Sequence, residues 1–137
     1  MEIYVSFDEM HAYVGKHFDK DITVKKISDK EFSVGFTANL LLVKITPSVD
    51  IAIEEVKSNE VTLKYHVAFG IDKILGGTIP MLLNKFREKT QGIYVEDDNR
   101  VRVKLSEMEK AKAVVEKIAL RDVSVKDNAL KVTLDLK

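Results

Sequence analysis

Three histidines, one acidic run and two serines are the side chains of this 137-residue sequence best able to do chemistry. His11 and His17 are six residues apart, whereas two metal ligands on one helical face need a spacing of three or four. His66 falls on a predicted strand, on the face opposite Tyr65 and shared with Lys64, where a solvated imidazole is expected rather than a general base. Glu96-Asp97-Asp98-Asn99 offers oxygens for calcium but lacks the glycine and distal glutamate of an EF-hand loop, and reads as a hairpin turn. Ser6-Phe7-Asp8-Glu9 and Ser106-Glu107-Met108-Glu109 both match a capping box, in which serine accepts from a first-turn amide and glutamate reaches back. Both serines are therefore expected to be helix caps, not nucleophiles. Gly76-Gly77-Thr78 lacks the lysine and the preceding strand of a phosphate-binding loop. No catalytic residue, metal site or cofactor is expected, and the chain reads as non-enzymatic.

The composition narrows the classes further. Lys plus Arg and Asp plus Glu number 22 each, so no net field draws in a phosphate backbone, and no nucleic-acid partner is expected. The absence of cysteine excludes disulfides, zinc–thiolate sites and thiol catalysis. Met1-Glu2-Ile3-Tyr4-Val5 is acidic where a signal peptide is basic, with no apolar stretch following, which predicts a cytoplasmic protein. Asp72, Asn84 and Lys85 interrupt the richest apolar segment, so no transmembrane segment is expected. The length suits one domain over residues 1–137.

The elements that would position these residues follow from hydrophobic spacing. Met1–Val5 reads as a strand, and Phe7, Met10, Val14 and Phe18 as the inner stripe of a helix. Ile22 and Val24, then Phe32, Val34 and Phe36, alternate about a turn at Ser28-Asp29-Lys30. Leu40-Leu41-Leu42-Val43 does not alternate and predicts a strand covered on both faces. Val49–Val56 and Val61–Val67 form a hairpin turning at Ser58-Asn59. Residues 69–86 keep helical phase but contain Gly76-Gly77 and Pro80, which predicts two short helices, the second capped by Thr78. Ile93–Val95 and Val101–Leu105 form another hairpin. Ser106 is predicted to open a helix with Met108, Ala111, Val115 and Ile118 inward. Val123, Val125 and the alternating Leu130, Val132, Leu134 and Leu136 flank a turn at Asp127-Asn128. Hairpin followed by helix occurs twice. The fold class predicted is α+β, a curved antiparallel β-sheet with three to four helices packed on one face.

The order of strand Val101–Ser106, short helix and terminal segment Val123-Ser124-Val125-Lys126-Asp127-Asn128-Ala129-Leu130-Lys131-Val132 resembles the end of tubular lipid-binding (TULIP-like) domains, especially the bacterial lipid-binding lipoprotein group. The earlier Val49–Phe86 segment is similar in order, so the resemblance spans roughly residues 49–137. It implies a lipid acyl chain held between a helix and a curved sheet. The sequence departs from that group in being short, in having no cysteine for a lipobox, and in that no signal peptide is expected from Met1–Val5.

Spacing and resemblance together lead to one expectation: a binding module for an apolar ligand such as a lipid or fatty acid. Leu63, Tyr65 and Val67 on the strand would oppose Ile71, Leu75, Ile79, Leu82 and Phe86 on a helix pair hinged at Gly76-Gly77. Plain core packing is the simpler reading of the segment Ile71–Phe86 taken by itself. The alternative function is an assembly or scaffold protein, a homo-oligomer or partner-binding subunit, whose apolar helix face with Phe69 and Met81 is covered by another chain. A third reading, an enzyme using His66 and a nearby carboxylate, lacks a constellation to support it.

Overall fold

In a computed structural model, strand outweighs helix among the described residues. It describes residues 1–18, 22–36, 38–40, 43–45, 48–67, 84, 87–88, 91–96, 98–109 and 111–137, with the backbone alone at 17–18, 36, 38–40 and 43–45.

The chain opens with β1 (Glu2–Ser6) running into α1 (Phe7–Phe18). The first capping box forms as its residues dictate: the Glu9 amide donates to Ser6 Oγ at 3.0 Å and the Ser6 amide donates to Glu9 Oε1 at 3.3 Å. Antiparallel pairs follow: β2 (Ile22–Ser28) with β3 (Glu31–Phe36), β4 (Ala38–Leu40) with β5 (Val43–Ile45), and β6 (Ser48–Lys57) with β7 (Glu60–Val67). Next come β8 (Ile93–Glu96) and β9 (Arg100–Lys104), a 3₁₀ turn at Leu105–Glu107, and α2 (Lys112–Val115). β10 (Ile118–Lys126) and β11 (Ala129–Leu136) close the chain.

Two larger sheets result. Sheet A has the order β1-β11-β10 and sheet B the order β2-β3-β6-β7-β9-β8, with β4-β5 a separate pair. Period-2 alternation gives each large sheet an apolar face and a polar one. On sheet B, Phe32 lies opposite Ile51 and Ile51 opposite Tyr65, while Leu63 lies opposite both Ile53 and Val101. On sheet A, Leu130 has Val125 opposite, Val132 has Val123 and Leu134 has Leu120.

The two apolar faces meet in one core of Phe7, Phe32, Ile53, Leu120, Val123 and Val125, with Met10, Val34, Leu63, Leu130 and Val132 packed around it. Strand β10 lies across the tips of two hairpins of sheet B: the Leu120 amide donates to the Ser58 carbonyl and the Val125 amide to the Asp29 carbonyl, each at 2.7 Å. Those bonds satisfy amides on an edge that would otherwise lack partners.

The architecture corrects the predicted class. Two sheets facing each other, with α1 at their side, replace a single curved sheet under three to four helices. Two complete α-helices are present among the described residues, and α2 has four residues. Part of the difference arises at Ser106. Ser106 lies inside a 3₁₀ turn, not at a cap, and Lys104 before that turn makes no side-chain cap bond; the Met108 amide closes onto the Leu105 carbonyl at 3.1 Å, and α-helical geometry begins only at Lys112. Ile118, predicted to face inward on that helix, is drawn into β10 opposite Leu136. The segment Leu40–Val43 is not one strand either, because Leu40 pairs with Val43 as the chain reverses between β4 and β5. The predicted helix pair of residues 69–86 lies outside the described residues apart from Asn84.

Candidate functional site

Of the eight residues expected to hold an apolar ligand, the structure places three. Leu63, Tyr65 and Val67 share the apolar face of β7, as their alternation predicts. Leu63 packs against the core, and the Tyr65 amide donates to the Asn99 carbonyl at 2.9 Å. Val67 lies opposite Val49 at the far end of the strand from the core cluster. Ile71, Leu75, Ile79, Leu82 and Phe86 lie outside the described residues, as do Phe69, Gly76, Gly77, Thr78 and Met81.

The residues able to do polar chemistry are dispersed or engaged elsewhere. His66 is exposed on the polar face of sheet B opposite Asp50, and His11 is exposed on α1. Among the described residues no three His, Asp or Glu side chains gather as a metal site, and no polar or charged residue is buried. Asp98 and Asn99 both have φ of 60°, left-handed backbone at the turn of the β8–β9 hairpin. The acidic run is tied to arginines beside that turn: Arg100 contacts Asp98 at 3.5 Å, and Arg102 pairs with Glu96. Arg100 also donates to Glu54 at 2.9 Å, so that its guanidinium is held protonated even more firmly than usual, chiefly by that hydrogen bond. Glu54 sits where the β6–β7 register shifts, an extra residue in the ladder. A calcium ion would have to displace these ion pairs.

An open groove of about 780 Å³ runs past Gly92, lined by Arg87, Gln91, Ile93, Tyr94, Ser106, Glu107, Glu109 and Lys112. The Tyr94 hydroxyl donates to Glu107, and that bond is the main reason the phenol is raised above its ordinary pKa. Lys104 Nζ lies 5.1 Å from the centre of the Tyr94 ring. Both signs of charge line the groove, so it has no field to select an anion or a cation.

The surface that sequence spacing did not single out is on sheet A. Met1, Ile3 and Val5 alternate onto the same face as Leu130, Val132 and Leu134, with Ile3 opposite Val132 and reciprocal backbone bonds joining Met1 and Leu134. The face is well covered at β10 but open at β1: Leu136 is 78% exposed, Met1 60% and Ile3 48%. These three make an apolar strip along the β1/β11 rim. The opposite face there is polar, with Glu2 accepting from the Tyr4 hydroxyl at 3.0 Å and from Lys131 at 3.2 Å. Those contacts, the Tyr4 hydrogen bond first, hold the Glu2 carboxyl below the usual range.

No helix among the described residues is long and apolar enough to cross a membrane. No family model, curated protein or solved structure matches the chain. Among the described residues the arrangement is mainly β with two complete helices, and neither lipid binding nor the tubular lipid-binding resemblance gains support from it.

Proposed function

We propose that the chain is a non-enzymatic assembly module that docks another protein chain on the apolar strip of sheet A. The observation that carries this reading is the exposure of Met1, Ile3 and Leu136 on one contiguous face. Isolated exposed apolar side chains are ordinary, whereas aligned ones beside a sheet rim mark an interaction surface. The dispersed histidines and the ion-paired acidic turn leave the described residues without a reacting constellation that would favour an enzyme.

A photoreactive benzophenone residue at Leu136, irradiated in cells making the full chain, is expected to give a discrete cross-linked product. The same probe at Lys64, on the polar face of sheet B, is expected to give none. Ile3→Asp should abolish the product while leaving circular dichroism unchanged. Failure of Leu136 to label anything, or a product indifferent to Ile3→Asp, overturns the reading.

A second reading, an apolar small molecule on sheet B, is favoured by the position of Tyr65 and Val67, which continue the apolar face of β7 past the core cluster. It predicts saturable binding of an apolar dye that Val67→Asp removes without unfolding the chain; non-saturable binding by the native chain overturns it.

A further inference from the structure

The rim beside the apolar strip is a strand edge, and its backbone geometry limits what can dock there. Met1 exchanges backbone hydrogen bonds with Leu134, and the Phe7 amide donates to the Asn128 carbonyl. Since such bonds alternate along an antiparallel pair, Met1, Ile3, Val5 and Phe7 bond toward β11. The N–H and C=O groups of Glu2 and Tyr4 point the other way, and no described residue bonds to them. The other edges of the two large sheets are protected. β2 carries exposed Lys25 and Lys26, β8 has only four residues, and β10 gives two amides to hairpin carbonyls. β1 has no lysine, proline or bulge, the devices that stop an edge from pairing with another strand.

We propose that the occupant of this edge is a second copy of the chain, its β1 running antiparallel with Ile3 opposite the partner's Ile3. The proposal rests on reading the strip as a protein-docking surface and names what docks. Its support is the self-complementarity of one register. With Ile3 on the two-fold axis, Glu2 and Tyr4 face the partner's Tyr4 and Glu2, and the four free amides and carbonyls of each rim are matched in reciprocal bonds. On the strip side, Met1 and Val5 face the partner's Val5 and Met1, so every cross-strand pair is apolar. Sliding one step toward the N-terminus sets Glu2 against the partner's Glu2, a like-charge pair. Sliding one step the other way requires the Ser6 amide, which already donates to Glu9 Oε1. The chosen register leaves the cap of α1 intact and joins two three-stranded sheets into one of six.

Because the chain contains no cysteine, single cysteines report this register directly. Opposed residues at a non-hydrogen-bonded position have Cα atoms about 4.5 Å apart, within disulfide reach, whereas the two Tyr4 positions are diagonal neighbours at roughly 7–8 Å. Under mild oxidation, the full chain with Ile3→Cys is expected to become a covalent dimer, and Tyr4→Cys to remain largely uncross-linked. Light scattering of the native chain should give twice the monomer mass, and Ile3→Lys should halve it with unchanged circular dichroism. A native monomer, a dimer that survives Ile3→Lys, or Tyr4→Cys linking as fast as Ile3→Cys each overturns the proposal. If the native chain is a monomer yet the Leu136 probe still labels a different protein, self-pairing fails and the docking reading stands. A monomer with no labelled product removes both.

Discussion

Lys30, at the tip of the β2–β3 hairpin, pairs with Asp122 on β10 and also donates to the Val123 carbonyl at 2.8 Å, joining sheet B to sheet A at their rims. A register shift at Leu120/Asp122 accompanies the contact, leaving Arg121 as the extra residue in the β10–β11 ladder. Both ion-pair side chains are 48% exposed, so water screens much of the attraction and their net contribution is small.

Burial beneath that pair should dominate the joining of the sheets. Val125 is 2% exposed, and Val125→Ala removes two buried carbons and leaves a void, at a cost of about 2 kcal/mol. Lys30→Met is expected to cost no more than about 1 kcal/mol. Urea unfolding of both variants checks the ranking, and a larger loss for Lys30→Met would contradict it.

The hairpins were legible from the sequence because turn residues and alternating apolar residues agree about them. Ser58-Asn59 between Val49–Val56 and Val61–Val67 is the plainest case. The division into two sheets was not legible. It depends on β1 pairing with β11 across nearly the whole chain and on β10 crossing hairpin tips, neither of which leaves a local periodic mark. The candidate site divides in the same way. Alternation correctly placed Leu63, Tyr65 and Val67 on one face, and it does as much for Met1 and Ile3. It reports which residues share a face, not whether anything covers it, so the exposed strip emerged only from the packing.

Gly92 is required by both conformation and space. Its φ of +90° disfavours any residue with a Cβ, and a Cβ there would collide with the Lys104 carbonyl oxygen and lie 2.9 Å from Met108 Cγ. The backbone cannot easily withdraw, since the Lys104 amide donates to the Gly92 carbonyl at 2.7 Å. Gly92→Ala is expected to lower stability by about 2 kcal/mol or more, read from the denaturant midpoint. An unchanged midpoint would be incompatible with this close approach.

The Glu2 contacts carry a pH signature with a definite sign. The folded carboxyl is held below its ordinary range by the Tyr4 hydroxyl first and Lys131 next, so its contribution is present above the unfolded value, about 4.3, and fades as pH falls through the lower folded value. Lys131 is raised, chiefly by its hydrogen bond to Glu2. Its contribution is present below the usual lysine range and fades as pH climbs through the raised value. Glu2→Gln should therefore melt lower than the native chain at neutral pH, and the two melting curves should converge in acid. A difference that persists unchanged at acidic pH would show that the charge is not responsible.

Ser6 and Ser106 head the same four-residue motif, yet only Ser6 caps a helix, and replacing each by alanine separates motif from structure. In Ser6→Ala the Glu9 amide loses its 3.0 Å acceptor at the first turn of α1. Phe7, which that turn delivers to the core, stands with its ring centre 6.5 Å from that of Phe32. The expected loss is about 1 kcal/mol, the usual worth of a serine cap. Ser106→Ala removes a hydroxyl from inside a 3₁₀ turn, not from a helix cap, in a turn already closed by Met108 onto Leu105, and should change stability by less than about 0.5 kcal/mol. Equilibrium unfolding of the two variants tests the assignment. Equal losses would mean that the second box caps a helix after all, and that the chain from Ser106 to Ile118 holds more helix than the single turn of α2.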